Sequence, residues 1–295
     1  MSATMRETFY ATTTDLVARD PRMAVVFADI GGAALDDAMD AHPDRVINVG
    51  IREQLMVGAA AGLALVGFRP IVHSYAPFVV ERPFEMLKLD LGHINVGAIV
   101  VSVGASYDAA ANGRTHQTPE DVALISALPG WRILVPGHPD EVDRLLRDAA
   151  AADDRVYLRL TEQSNTRPRP VEPGRFHVER IGRDATVIAV GPMLDPVLEA
   201  VAGLDVTVLY ATTVRPFDGA ALRRSIAAPL VVLVEPYLAG TSAAEVSAAL
   251  TDIPHRLLAL GVPNAEHRHY GTWREHNAAH GLDPSGIRAS IERAL

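Results

Sequence analysis

Apolar and polar positions in this 295-residue chain fall into two successive series of short strand-like and helix-like segments. An amphipathic helix is expected over 5–19. After it, β-branched runs that are apolar throughout predict strands over 23–28, 46–48, 70–73, 98–103, 132–135 and 156–160. Ala- and Leu-rich stretches between them predict helices over 53–65, 82–91, 119–128 and 139–151. The segment EQSNTRPRPVEPGRF has three prolines and no apolar period, so it reads as a connector. A second alternation follows, with strands over 186–190, 206–210, 230–235 and 256–261 and helices over 194–202, 218–226, 243–250, 273–280 and 284–294. Strands apolar on both faces, separated by helices, indicate parallel sheets covered on each side. The expected fold is α/β, with two open, mostly parallel-sheet domains over 1–162 and 181–295 joined by a linker over 163–180.

Composition narrows the chemistry. The formal charge is −9, which argues against nucleic acid or an anionic membrane as partner. Cysteine is absent, so thiolate nucleophiles, disulfides and cysteine-based zinc sites are excluded. Lys88 is the single lysine and no G-x-x-x-x-G-K-[ST] or G-x-G-x-x-G run occurs, which removes the two common nucleotide fingerprints. The first residues carry acids and lack an apolar core, and no run of eighteen apolar residues occurs. A cytoplasmic location is expected.

Two polar clusters stand at the ends of predicted strands. In the first, Asn48-Val49-Gly50-Ile51-Arg52-Glu53-Gln54 leads from a strand into the helix MVGAAAGLALVG. Glu53 and Gln54 in a first helical turn equally suit capping and the helix dipole. In the second, Asn112-Gly113-Arg114-Thr115-His116-Gln117 forms a loop after strand 98–103. Loops at the carboxyl ends of parallel strands are where such folds hold ligands, and histidine suits proton transfer near neutrality. His276 and His280 share a helix-turn spacing seen in metal sites.

Together the clusters resemble the pyrimidine-binding half of the transketolase and deoxyxylulose-phosphate synthase family, which uses thiamine diphosphate. GIREQLMVGAAAGLALVGFRPIVHSYAPF is similar to its I-R-E-x-x-M-x-x-x-A-x-G-L-A segment, and GRTHQTPEDVALISALPGWRILVPGHPDE to its D-G-x-T-H-Q segment. ATVIAVGPMLDPVLEAVAG, TTVRPFD, VVLVEPYLAG and HGLDPSGI are similar to the family's carboxyl-terminal domain. The resemblance implies that Glu53 shares a proton with the far ring nitrogen of the cofactor's aminopyrimidine. It implies that Phe78 is the ring's platform, with Ile51, Tyr75 and Arg82 around it. His116 is implied in proton transfer or oxyanion stabilisation. His73, Asn112, Arg114 and Glu162 are expected on the substrate side. The family's similar histidine-containing tail has no metal, so none is expected on this chain.

The family holds the cofactor's diphosphate through Mg2+ or Ca2+ on a G-D-G motif, and this chain has no G-D-G. A separate diphosphate-binding subunit carrying that motif is therefore expected, in a two-plus-two heterotetramer with this chain as the pyrimidine-binding subunit. The reaction implied is transfer of a two-carbon ketol or acyl-anion unit to an aldehyde. The beta subunit of a 2-oxo-acid dehydrogenase and a non-catalytic scaffold subunit are the alternatives. Two positions depart from the family: Glu162 stands where phosphosugar-using members place an arginine, and Asn112 where they place an aspartate.

Overall fold

The computed structural model describes residues 3–295. Six of its first seven strands by position are parallel, as their continuous apolar burial requires. Strands β1 (Met23–Phe27), β2 (Val46–Asn48), β3 (Arg69–Tyr75), β4 (Ala98–Val103), β5 (Trp131–Leu134) and β6 (Arg155–Arg159) lie in the order β5-β6-β4-β3-β1-β2. Helices Met5–Arg19, Gly32–Ala41 and Pro139–Ala150 bury their apolar sides on one face of this sheet; helix Glu53–Leu65 and the segments after β3 cover the other.

The second sheet contains β7 (Phe176–Arg180), β8 (Thr186–Val190), β9 (Thr207–Ala211), β11 (Leu230–Leu238) and β12 (Arg256–Val262), in the order β12-β11-β8-β9-β7. β10 (Thr213–Arg215) follows β9 in the chain but pairs antiparallel with β5, so the second half supplies the edge of the first half's sheet. β7 also pairs antiparallel, with β9. Apolar side chains of both halves join in shared clusters, for example Leu158 with Val187 and Ile133 with Val231.

Three sequence expectations change here. The stretch 163–180 ends in β7, because an edge strand needs only one apolar face and its alternation is too short to read. Helix Gly32–Ala41 went unread in a run broken by paired acids. The helix expected over 82–91 is instead a series of wide and ordinary turns, Pro77–Glu81, Phe84–Met86 and Leu87–His93, interrupted at Pro83, which has no N–H to continue the ladder.

A buried polar chain fastens the halves. Arg159, without exposure, donates through Nε to Asp121, also without exposure, at 2.7 Å. Its Nη2 donates to Ser106 Oγ at 2.6 Å, and Ser106 donates onward to the carbonyl of Pro236 in β11 at 2.6 Å. Tyr157 donates to the same Asp121 at 2.7 Å. Removing one partner leaves a guanidinium desolvated and unpaired. Asp121→Ala is expected to lower unfolding stability by about 3–5 kcal/mol in urea titrations. A loss below about 1 kcal/mol would mean that water reaches Arg159.

Candidate active site

The parallel strands β1, β3, β4 and β6 end on the same edge of the sheet, and the loops leaving them meet there. The turn after β2 is shaped by Asn48, whose side-chain oxygen accepts from the N–H groups of Asp29 at 3.0 Å and Gly50 at 2.9 Å. Gly50 has φ +69°, a left-handed value that favours glycine. This turn delivers Glu53 into the first turn of helix Glu53–Leu65 with only 5% exposure.

One oxygen of Glu53 accepts from Arg82 Nη1 at 2.7 Å. The other makes no hydrogen bond among the described residues and keeps some contact with solvent. Arg82 comes from the wide turns after β3, and its guanidinium lies 3.9 Å from the centre of the Phe78 ring. Phe78 in turn meets His116 edge-on at 5.0 Å between ring centres, and Tyr75 meets Phe78 at 6.0 Å and His116 at 5.9 Å. Gly104 permits this: a Cβ there would lie 2.2 Å from the Tyr75 ring, and its φ is +66°. The structure thus brings Glu53, Arg82, Phe78, Tyr75 and His116 into one continuous group, although sequence separates its ends by more than sixty residues.

The loop carrying His116 is braced from the second half. Gln117 donates to the carbonyls of Ala110 at 3.3 Å and His269 at 3.1 Å, and Tyr270 packs over Gly113. His116 Nδ1 stands 3.0 Å from Thr115 Oγ1, and Nε2 has no partner among the described residues.

Comparison with known proteins identifies the domains that carry this group. Residues 1–167 match the transketolase pyrimidine-binding domain and residues 174–287 the transketolase C-terminal domain. The chain belongs to the transketolase family. It is 50% identical to the "Uncharacterized 33.6 kDa protein in fasciation locus" of Rhodococcoides fascians, over 97% of this chain and 93% of that protein. It is 30% identical to the 1-deoxy-D-xylulose-5-phosphate synthase of Azoarcus sp. (strain BH72) over 94% of this chain, which spans only 46% of that synthase. Among solved structures, one described as "Split gene transketolase, inactive beta4 tetramer" matches with a TM-score of 0.87 at 26% identity, covering 100% of this chain and 99% of the other.

The structure corrects one site expectation of this transketolase-family chain and places the others. His73 does not face a substrate channel. It has no exposure, stands 3.1 Å from both Tyr10 Oη and the Val101 carbonyl, and packs against Phe9. That burial pushes its pKa down to about 3, so it is a neutral core residue. Arg114 turns away from the strand ends: it pairs with Glu120 at 2.7 Å and Glu266 at 3.6 Å and donates to the Gln117 carbonyl, because two carboxylates compete successfully for it. Ile51 is beside Glu53 but 72% exposed, and Asn112 is exposed on the His116 loop. His276 and His280 stack around Tyr107, and among the described residues no group of three or more His, Cys, Asp or Glu is arranged to hold a metal.

Glu162 lies beside Tyr75 in the wall of a cavity of about 390 Å³. Sequence reasoning missed the other polar wall residues, Arg6, Asp108 and Arg274, since nothing local marks them as neighbours. Asp108 accepts from the Glu162 N–H at 2.9 Å. Burial first, and the Glu162 charge after it, push its carboxyl up to about 8. The folded chain therefore keeps a proton that the unfolded chain releases near the ordinary carboxylate value. Stability contributed by that proton is complete below about pH 4 and is lost as pH rises towards about 8. Asp108→Asn should gain urea stability relative to wild type progressively between about pH 5 and 8. A difference that stays constant over this range would show a solvated carboxyl.

Proposed function

We propose that this chain is the pyrimidine-binding subunit of a two-component, thiamine diphosphate-dependent transketolase-like enzyme. It would transfer a two-carbon ketol or acyl-anion unit to an aldehyde. The observation that carries this reading is the buried Glu53 carboxylate, which keeps one oxygen unpaired beside an aromatic wall of Phe78, Tyr75 and His116.

The donor set fits the cofactor. A buried carboxylate with a free oxygen can hold a proton on a ring nitrogen, and Phe78 offers a flat apolar face. Glu53 and Phe78 would hold the aminopyrimidine, with Tyr75 at its edge. When bound, thiamine diphosphate supplies a carbon nucleophile and an electron sink for carbon–carbon cleavage and formation. Glu53 is the proton-holding group at the pyrimidine nitrogen, and Arg82 fixes its position in the first helical turn. His116, with Nε2 free, holds or releases a proton at the substrate oxygen. Nothing in the apolar wall can replace either group.

A partner is supported by the helix that carries Glu53. Its sequence EQLMVGAAAGLAL has no polar face, yet Leu55 and Leu65 are 51% and 61% exposed, and Ile51 and Val66 flank it at 72% and 73%. A helix apolar on all sides belongs in an interior. The likeness to a split-gene transketolase chain, and the span of about half of the Azoarcus synthase, support a second polypeptide that supplies the diphosphate and metal ligands. On this reading the metal, Mg2+ or Ca2+, and the G-D-G motif belong to the partner, and the assembly is a two-plus-two heterotetramer.

Two measurements test the reading. Calorimetric titration of the isolated chain with thiamine diphosphate and Mg2+ should give only weak heat, whereas micromolar binding would mean that no partner is needed. In the complex with the diphosphate-binding subunit, Glu53→Gln should slow deuterium exchange at the cofactor's thiazolium carbon by roughly a hundredfold or more, with the fold unchanged by circular dichroism. Exchange at the wild-type rate would reduce Glu53 to a helix-capping residue.

A further inference from the structure

The cavity beside Tyr75 is built from three distant parts of the chain. Arg6 comes from the first helix, Asp108 and Glu162 from the loops after β4 and β6, and Trp273 and Arg274 from the start of helix Trp273–Ala279 in the second half. Tyr75 lines it and meets the His116 ring edge-on at 5.9 Å, so the cavity adjoins the proposed reaction centre. Its volume of about 390 Å³ suits a small molecule.

The wall carries two arginines, the Glu162 carboxylate and the Asp108 carboxyl, which keeps its proton at neutral pH and so offers hydrogen bonds rather than a charge; none of the four is in a salt bridge among the described residues. Arg6 donates to Tyr10 Oη at 3.0 Å and lies 5.8 Å from the Tyr75 ring centre. Arg274 lies 4.3 Å from the Trp273 ring. Both guanidiniums are held by aromatic rings rather than by carboxylates. On the other side, the Asp108 carboxyl is tied to the Glu162 backbone, next to the Glu162 side chain. A phosphate dianion would gain the arginines and meet the Glu162 carboxylate. A simple amine would gain Glu162 and a hydrogen bond to Asp108 and meet both arginines. Only a ligand with both signs satisfies the whole wall.

We propose that this cavity binds the end of the substrate remote from the reacting carbonyl and selects a zwitterionic group, an amine facing Asp108 and Glu162 and a monoanion facing Arg6 and Arg274. Trp273 and Arg274 are then specificity residues supplied by the C-terminal domain. The inference names a substrate class for the two-component enzyme and rests on that reading for its chemistry.

The binding step is testable without partner or cofactor, because the chain has two tryptophans and Trp131 is buried elsewhere. In the full chain labelled with 15N-tryptophan, Trp131→Phe or Trp273→Phe assigns the two indole signals. Titration with β-alanine should shift the Trp273 signal saturably. Propionate, propylamine and inorganic phosphate should bind at least about tenfold more weakly, each lacking one sign of charge. Arg274→Gln and Glu162→Gln should each weaken β-alanine about fivefold or more, and Glu162→Gln should strengthen phosphate. Phosphate binding as tight as β-alanine, no shift of Trp273 with β-alanine, or wild-type β-alanine affinity in both variants would overturn the proposal. A Trp273 response alongside failed thiazolium exchange in the complex would overturn only the enzyme reading; the opposite result would overturn only this one.

Discussion

A guanidinium sealed inside protein is tolerable only if its hydrogen-bond partners are fixed, and Arg159 imposes that condition on the centre of this molecule. Asp121, Ser106 and Tyr157 gather around it, and through Ser106 the demand reaches the backbone of β11. The ring of Tyr237 closes over the same guanidinium at 5.3 Å. Strand β6, the helix Asp121–Ser126 and the second sheet are thus held at set distances from one another. Three residues beyond Arg159 stands Glu162, so the wall of the outer cavity inherits its position from this buried pair.

The site edge shows the opposite economy. At Glu53 the fold leaves one oxygen of a largely buried carboxylate to solvent alone, and at helix Glu53–Leu65 it leaves apolar side chains in water. The exposed apolar row is unfavourable for an isolated chain, and the open oxygen has no protein partner. Both are relieved together if a second polypeptide covers the helix and brings a cofactor against Glu53. Arg82 serves in the meantime: its ion pair with Glu53 and its stacking on Phe78 hold the two groups in register. The C-terminal domain takes part in the same region, bracing the His116 loop through His269 and Tyr270 and lending Trp273 and Arg274 to the cavity.

Much of this was legible in the residues. Helices Met5–Arg19, Glu53–Leu65 and Pro284–Ala294 and strands Val46–Asn48, Ala98–Val103 and Thr186–Val190 have the bounds that their apolar periods predict. The two antiparallel edge strands were not legible, since three to five residues with one buried face carry no period that distinguishes them from loop. Pro83 was visible, yet its effect depended on packing: the chain continues past it by widening its turns rather than by ending.

By itself, then, the sequence determined the class of fold and the family and singled out Glu53 and His116 as the candidate pair, because these reside in short contiguous runs whose meaning is local. Tertiary structure alone decided that Arg82 would pair with Glu53, that Arg114 would be spent on Glu120 and Glu266, and that His73 would be buried beside Phe9. It also decided that Arg6, Asp108, Glu162 and Arg274 would share one cavity. The physical reason is that a side chain's charge partner is whichever group the packing of sheets and helices leaves within reach, and for these residues that group lies tens to hundreds of positions away.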